Sequence, residues 1–393
     1  MQTLRNKMML LLKSVDTQFT RYLDQEIDWS SRMTAIVGAR GVGKTTLILQ
    51  RILNHHQLQE VLYVKVDDLY FTENKLLDLA IQFEATGGKY LFIDEVHKYP
   101  NWSQELKDIY DYIPNLTVVF TGSSILDIYK GNADLSRRVV TYHMHGLSFR
   151  EYMMMVRKEE LPVFTLEQVL NHQYQEWLLK SDLRPLMHFK HYIEHGYYPF
   201  FQEPRFPDRL SNVINLILEV DIPQFAGLQA GTIIKLKTLL YLLSKNVPFK
   251  PNASKLAELI RVSRPVFADL MVFLEKAGLT MSLRNPAEGI KSLRKVEKLY
   301  LQNASLMSVI ASNAPDIGNI RETFFMNQLQ VKHQVEASSN ADFWIDGQYT
   351  FEIGGKNKTQ KQIQGLEHAF VVKDDIEYGE GRVIPLWAFG MLY

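Results

Sequence analysis

The sequence predicts an α/β fold in which a parallel sheet carries helices on both faces, and three observations predict it. Short apolar runs of strand length alternate with amphipathic stretches over residues 1–150. A glycine-rich turn separates the first run from the first helix, and an apolar run further on ends in two acids. No window holds the roughly 18 consecutive apolar residues that a membrane-spanning helix needs.

Taken in order, residues 1–30 read as a helical leader, with one apolar run, Met8–Leu12, too short for a signal-peptide core. Thr34–Val37 reads as a buried strand ending at Gly38, followed by a helix from Lys44 to Leu53. Residues 61–66 (Val-Leu-Tyr-Val-Lys-Val), 89–94, 116–121 (Leu-Thr-Val-Val-Phe-Thr) and 138–144 supply four more strands, with a helix over 103–112. Strands alternating with helices argue for a parallel sheet. Residues 151–230 turn helical and rich in aromatics and Met, and form a lid or linker. Residues 231–296 hold three helical segments and a Gly- and Pro-punctuated stretch, and strands return over 297–393, at 298–302, 341–345, 349–353 and 382–389. Neither a repeat nor a low-complexity tract interrupts the chain.

At 393 residues the chain predicts two to three domains. Its 46% apolar and 22% charged residues are those of an ordinary globular protein. The absence of Cys excludes a disulfide framework, a thiolate metal site and a Cys nucleophile, and fits a cytoplasmic protein with no membrane attachment. The net charge of zero hides a segregation. Residues 231–300 hold 13 Lys and Arg against 5 Asp and Glu, a net of +8, whereas 301–393 hold 7 against 11.

Residues 38–45, Gly38-Ala39-Arg40-Gly41-Val42-Gly43-Lys44-Thr45, are a P-loop pattern, with Thr46 next in the helix. The glycines let the backbone curl so that its N–H groups face phosphate oxygens. Lys44 reaches the β- and γ-phosphates, the Thr45 hydroxyl coordinates Mg²⁺, and the helix N-terminus favours the same anions. Residues 91–95, Leu-Phe-Ile-Asp-Glu, end a strand in Asp94, suited to hold Mg²⁺ through its water shell, and Glu95, suited to polarise the attacking water. The next strand ends in Thr121-Gly122-Ser123-Ser124, where Ser123 is placed to sense the γ-phosphate. Leu135-Ser136-Arg137-Arg138 offers an Arg to a neighbouring copy's site, Arg138 before Arg137.

With these residues in hand, the chain resembles the prokaryotic AAA-type ATPases that carry a C-terminal, nuclease-like domain of unknown function. The resemblance rests on the P-loop, on Phe92–Trp102, on Thr121–Ser124, and on Leu135–Arg138, Leu147–Tyr152 and Gly196–Pro199. It covers nearly the whole chain and implies ATP and Mg²⁺, an AAA core, a winged helix and a terminal nuclease-like domain. Arg137 stands where a Gly is common, which leaves the Arg assignment open.

Residues 252–260 and 263–277 read as a helix-turn-helix, with Ser263 as N-cap, Pro265 in the first turn and Gly278 as stop. Residues 281–300 follow as a wing. Arg264 and Lys276 on the second helix, with Arg284, Lys291 and Arg294 on the wing, are candidate contacts to duplex DNA phosphates. The alternative is a packing or protein-partner module. Asp342, Glu352 and Lys356, with Glu322 on the preceding helix, resemble the PD-(D/E)XK nuclease core, in which acids bind metal and Lys steadies phosphate. The usual Glu-x-Lys spacing is absent. Residues i and i+4 on a strand lie about 13 Å apart, so Lys356 reaches the metal only across a bulge at Gly354-Gly355. Both an inactive nuclease-like fold and a working nuclease follow from this pattern. Three functions remain: an ATP-driven motor or switch on DNA, a nucleotide-gated protein-interaction module of a toxin, defence or mobile-element system, and an ATP-regulated nuclease. A homo-oligomer is compatible with each.

Overall fold

A computed structural model describes residues 1–122, 135, 137–246, 253–286, 296–310 and 316–393. The chain divides into two compact units, Met1–Gly146 and Leu147–Tyr393.

The first unit is built on β1 (Met33–Val37), β2 (Val61–Lys65), β3 (Tyr90–Asp94), β4 (Thr117–Gly122) and β5 (Val140–His143). All neighbours pair in parallel, in the order β2-β3-β4-β1-β5. Side chains alternate across the sheet, and both faces are covered, so the inner strands are apolar at nearly every position. One face presents Ala35, Leu62, Val64, Leu91, Ile93, Val118 and Phe120 to Leu79, Phe83, Leu106 and Ile109 of the helices Leu76–Ala85 and Trp102–Tyr112. The other presents Ile36, Tyr63, Phe92 and Val119 to the helix after the P-loop, Lys44–His55, and to the N-terminal helix Gln2–Leu12. Leu47, Ile48 and Ile52 of the P-loop helix are fully buried there, each worth roughly 1.5–3 kcal/mol of transfer free energy. Leu4, Met8 and Leu12, spaced one helical turn apart, bury the leader against the same body.

The second unit opens with a helix, Phe149–Arg157, whose N-terminus is closed by a reciprocal Ser148–Glu151 capping box. Helices continue to Ala226, with single π turns at Tyr192–Gly196 and Ile217–Asp221. Helices α1 (Ala230–Asn246), α2 (Ala253–Leu259) and α3 (Arg264–Lys276) then lead into an antiparallel hairpin, β6 (Thr280–Arg284) with β7 (Val296–Leu301). After α4 (Ile317–Leu329) comes a mixed five-stranded sheet: β8 (Val335–Ala337), β9 (Phe343–Ile345), β10 (Tyr349–Gly354), β11 (Ala369–Lys373) and β12 (Val383–Pro385). Its order is β12-β11-β10-β9-β8.

The expected strand at 298–302 is the second arm of the β6–β7 hairpin, not the first strand of the terminal sheet. Of the expected strand 382–389 only Val383–Pro385 is extended. Pro385 donates no amide hydrogen, the ladder stops, and Leu386–Met391 coils into a helical turn. Val335–Ala337 and Ala369–Lys373 are strands in addition to the four expected in this region.

Candidate nucleotide site

The P-loop leaves the buried strand β1 and turns at Gly41 (φ 86°) and Gly43 (φ 100°), both in the region that favours glycine. Gly38 is needed for a different reason: a Cβ there would lie 2.2 Å from the Met144 carbonyl oxygen. Lys44 is buried, and its ammonium donates to the carbonyls of Gly38 and Ala39 at 2.9 and 2.8 Å across the loop. Val42 is buried and Thr46 exposed.

Register sets the rest. Because Ile93 lies opposite Phe120, Asp94 ends β3 beside Thr121 of β4. Thr45 Oγ1 donates to Asp94 Oδ2 at 2.8 Å, Tyr63 Oη to the same oxygen at 2.7 Å, and Thr121 Oγ1 to Oδ1 at 2.5 Å. Burial and then Asp94 raise the Tyr63 pKa, so its hydroxyl stays a donor. The Glu95 backbone is left-handed at φ 52°, and its N–H donates to Thr121 Oγ1 at 3.0 Å. Its carboxylate pairs with Lys98 and, at 3.8 Å, with Arg40. Burial pushes the Glu95 carboxyl up, but the Lys98 bond and the charges of Lys98 and Arg40 outweigh it, and the net shift is downward. Lys98 also pairs with Asp67 at 2.8 Å.

Two residues of this site had no signal in the sequence. Tyr63 read as one more apolar position of β2. Arg21, in the leader, is 4% exposed and donates to the carbonyls of Val42 in the P-loop and of His145 and Gly146, at 2.6, 2.8 and 2.9 Å. Only a fold that brings the leader against the loop reveals it.

Ser123 lies outside the described residues. Arg138 is held by Asp111 through two bonds of 2.9 Å, whereas Arg137 is exposed. In the basic segment Arg264 is exposed at the start of α3 and Lys276 is half-buried at its end. Arg284 is engaged by Glu275 at 3.0 and 2.9 Å, and Lys291 and Arg294 lie outside the described residues.

In the second unit Glu322, Asp342 and Glu352 come together, but not with Lys356. Lys298 Nζ lies 3.0 Å from Glu322 and 3.2 Å from Asp342, and Tyr300 Oη donates to Glu322 at 2.7 Å. Lys356 is exposed, and Lys358 pairs with Glu352. The strand ends at Gly354 and the chain turns back, with the Lys358 N–H on the Gly355 carbonyl. Among the described residues no group of three or more His, Cys, Asp or Glu is placed to hold a metal ion.

Residues 30–153 match an AAA domain family, and residues 186–316 match a domain of unknown function (DUF8612). A relative from Methanocaldococcus jannaschii, Uncharacterized protein MJ1637, is 24% identical over 303 residues, 71% of this chain and 62% of its own. The match therefore spans less than two thirds of that relative. Among solved structures, the Walker-type ATPase PABY2304 of Pyrococcus abyssi is similar with a TM-score of 0.42 and 11% identity, over 74% of this chain and 95% of that one. The S. cerevisiae Hsp104–ADP complex is similar with a TM-score of 0.31 and 16% identity, over 68% and 42%. Residues 30–153 thus carry a P-loop on a five-stranded parallel sheet and are similar to an AAA domain family. No described helix is long and apolar enough to cross a membrane.

Proposed function

We propose that this chain binds and hydrolyses ATP at residues 38–46 and uses the cycle as a switch or motor on duplex DNA. The observation that carries the first half is the link from Thr45 to Asp94 at 2.8 Å, with Glu95 beside it. Hydroxyl and carboxylate oxygens fit a hard divalent cation. Thr45 and Asp94 would hold Mg²⁺, which would neutralise charge on the phosphates. Lys44 would exchange the carbonyls of Gly38 and Ala39 for phosphate oxygens. Glu95, kept ionised by Lys98, would orient the attacking water and accept its proton. Arg137 or Arg138 would act on a neighbouring copy's nucleotide. Calorimetry checks the base of this reading: Lys44→Ala is expected to abolish ATP binding, and an unchanged affinity would sink it.

The DNA half rests on the net +8 of residues 231–300 and on the exposed Arg264. It is tested by ATP turnover with and without duplex DNA, where stimulation supports it. The Arg284–Glu275 pair favours the second reading, a nucleotide-gated protein-interaction module, because it spends a wing cation within the chain. A stable protein partner with no DNA effect would select that reading. For the terminal sheet we favour a nuclease-like fold without cutting activity, since Lys298 and Lys358 already neutralise its acids. Mn²⁺-dependent DNA cutting lost in Asp342→Ala would overturn this.

A further inference from the structure

Asp94 is 2% exposed and Thr121 fully buried, so this carboxylate is bonded chiefly by protein groups. An ionised carboxylate offers about four lone-pair positions. On Oδ2 both are taken, one by Thr45 Oγ1 and one by Tyr63 Oη. On Oδ1 one is taken by Thr121 Oγ1. Among the described residues one acceptor position is left, on Oδ1. The Thr45 hydroxyl gives its only proton to Asp94, and its own lone pairs are thereby free to accept a cation.

We infer that Tyr63 is a positioning residue of the nucleotide-bound metal. By filling the second lone pair of Oδ2 it fixes the carboxylate plane and leaves Asp94 one acceptor for a metal-bound water, not two for direct ligation. It also keeps Thr45, which shares that oxygen, turned with its lone pairs outward. The inference rests on the P-loop reading above. Tyr63 touches neither phosphate nor attacking water in this scheme, so its hydroxyl acts through Asp94 and Thr45 alone. Outer hydrogen bonds of this kind typically change metal affinity about 10–100-fold when removed.

The test is a titration of Mn²⁺, followed by the loss of the free-ion electron paramagnetic resonance signal, into protein saturated with a non-hydrolysable ATP analogue. Tyr63→Phe is expected to weaken Mn²⁺ about 10–100-fold, while metal-free binding of the same analogue in chelator stays within about twofold of wild type. That second measurement shows that the variant is folded and its P-loop intact. Thr121→Val, which removes the bond to Oδ1, is expected to weaken Mn²⁺ in the same sense and serves if Tyr63→Phe does not fold. A Mn²⁺ affinity within twofold of wild type, in whichever of the two variants folds, overturns the inference and leaves the P-loop reading standing. Wild-type protein that binds no analogue in chelator overturns both.

Discussion

At Glu95 the backbone is left-handed at φ 52°, which costs a side chain other than glycine about 1–3 kcal/mol and persists only where its surroundings enforce it. Here the bond from its N–H to Thr121 and the ion pairs with Lys98 and Arg40 do so. Glu95→Gln is expected to bind ATP normally and to turn it over about 10²–10⁴-fold more slowly, because an amide accepts no proton. Wild-type turnover in that variant would remove Glu95 from the mechanism. The pH dependence follows from the sign of the shift. The working form is the carboxylate, and its pKa lies below the ordinary 4.5. Turnover is therefore expected to persist as pH falls to 4.5 and to fail only below it. Lys98→Met leaves the upward push of burial without its main offset, so the acid limb of the pH–rate profile should move up. Superimposable profiles for wild type and Lys98→Met would show that Lys98 does not set the state of Glu95.

Among the elements, the β6–β7 hairpin and α4 are joined by Lys298, which bridges Glu322 and Asp342 with each side chain about one-fifth exposed. Burial and the neighbouring Asp342 raise the Glu322 pKa, and burial raises that of Glu352 although Lys358 opposes it. A carboxyl whose folded pKa exceeds its unfolded value binds its proton more tightly when folded. Its contribution favours folding below the unfolded pKa and turns against it as pH rises through the folded one. From these two acids the second unit is expected to gain stability on acidification just above pH 4.5, the ordinary glutamate value. Lys298→Met strands two partly buried acids and is expected to cost about 1–3 kcal/mol at neutral pH. Part of the loss should return in Lys298→Met/Glu322→Gln. Melting curves for the two variants across pH decide this, and a single variant as stable as wild type would show that the bridge contributes nothing. The same geometry explains why the sequence pattern could not single out the lysine that meets these acids. Spacing along a strand cannot show that the chain reverses at Gly355 and that Lys358 returns to Glu352, nor that a lysine from another sheet enters the cluster.

Across the whole molecule, the uneven charge makes the proposed DNA binding testable by counting ions. Each phosphate neutralised contributes about −0.9 to the slope of log affinity against log salt. Arg264 is exposed, so Arg264→Ala is expected to flatten the slope by about 0.9. Arg284 is held by Glu275, so Arg284→Ala should leave it nearly unchanged. Equal flattening by both would mean that the Glu275 pair opens on DNA. Binding that is absent even at low salt would move the partner-module reading to first place. Assembly is tested by mixing inactive variants. Arg137→Ala combined with Lys44→Ala is expected to recover part of the turnover if Arg137 serves a neighbour's site. Arg138, tied to Asp111, should give such rescue only if that pair is released.

The sequence by itself determined the parallel sheet, the P-loop and the Asp94-Glu95 pair, because each rests on local rules: apolar runs of strand length, glycines in a tight turn, acids at a strand end. What only the tertiary structure decided are the partners that converge from separate segments. Tyr63 looks like an apolar strand position, yet the register of β2, β3 and β4 aims its hydroxyl at Asp94. Arg21 looks like a leader charge, yet its buried guanidinium holds a P-loop carbonyl. Lys298 looks like a wing cation, yet it closes on two acids that follow it by 24 and 44 residues. Residue type and spacing record which chemistry a segment offers. The partner of a buried charge or hydroxyl is set by how strands and helices pack, and an unpaired polar group in the interior is costly enough that packing and pairing are settled together.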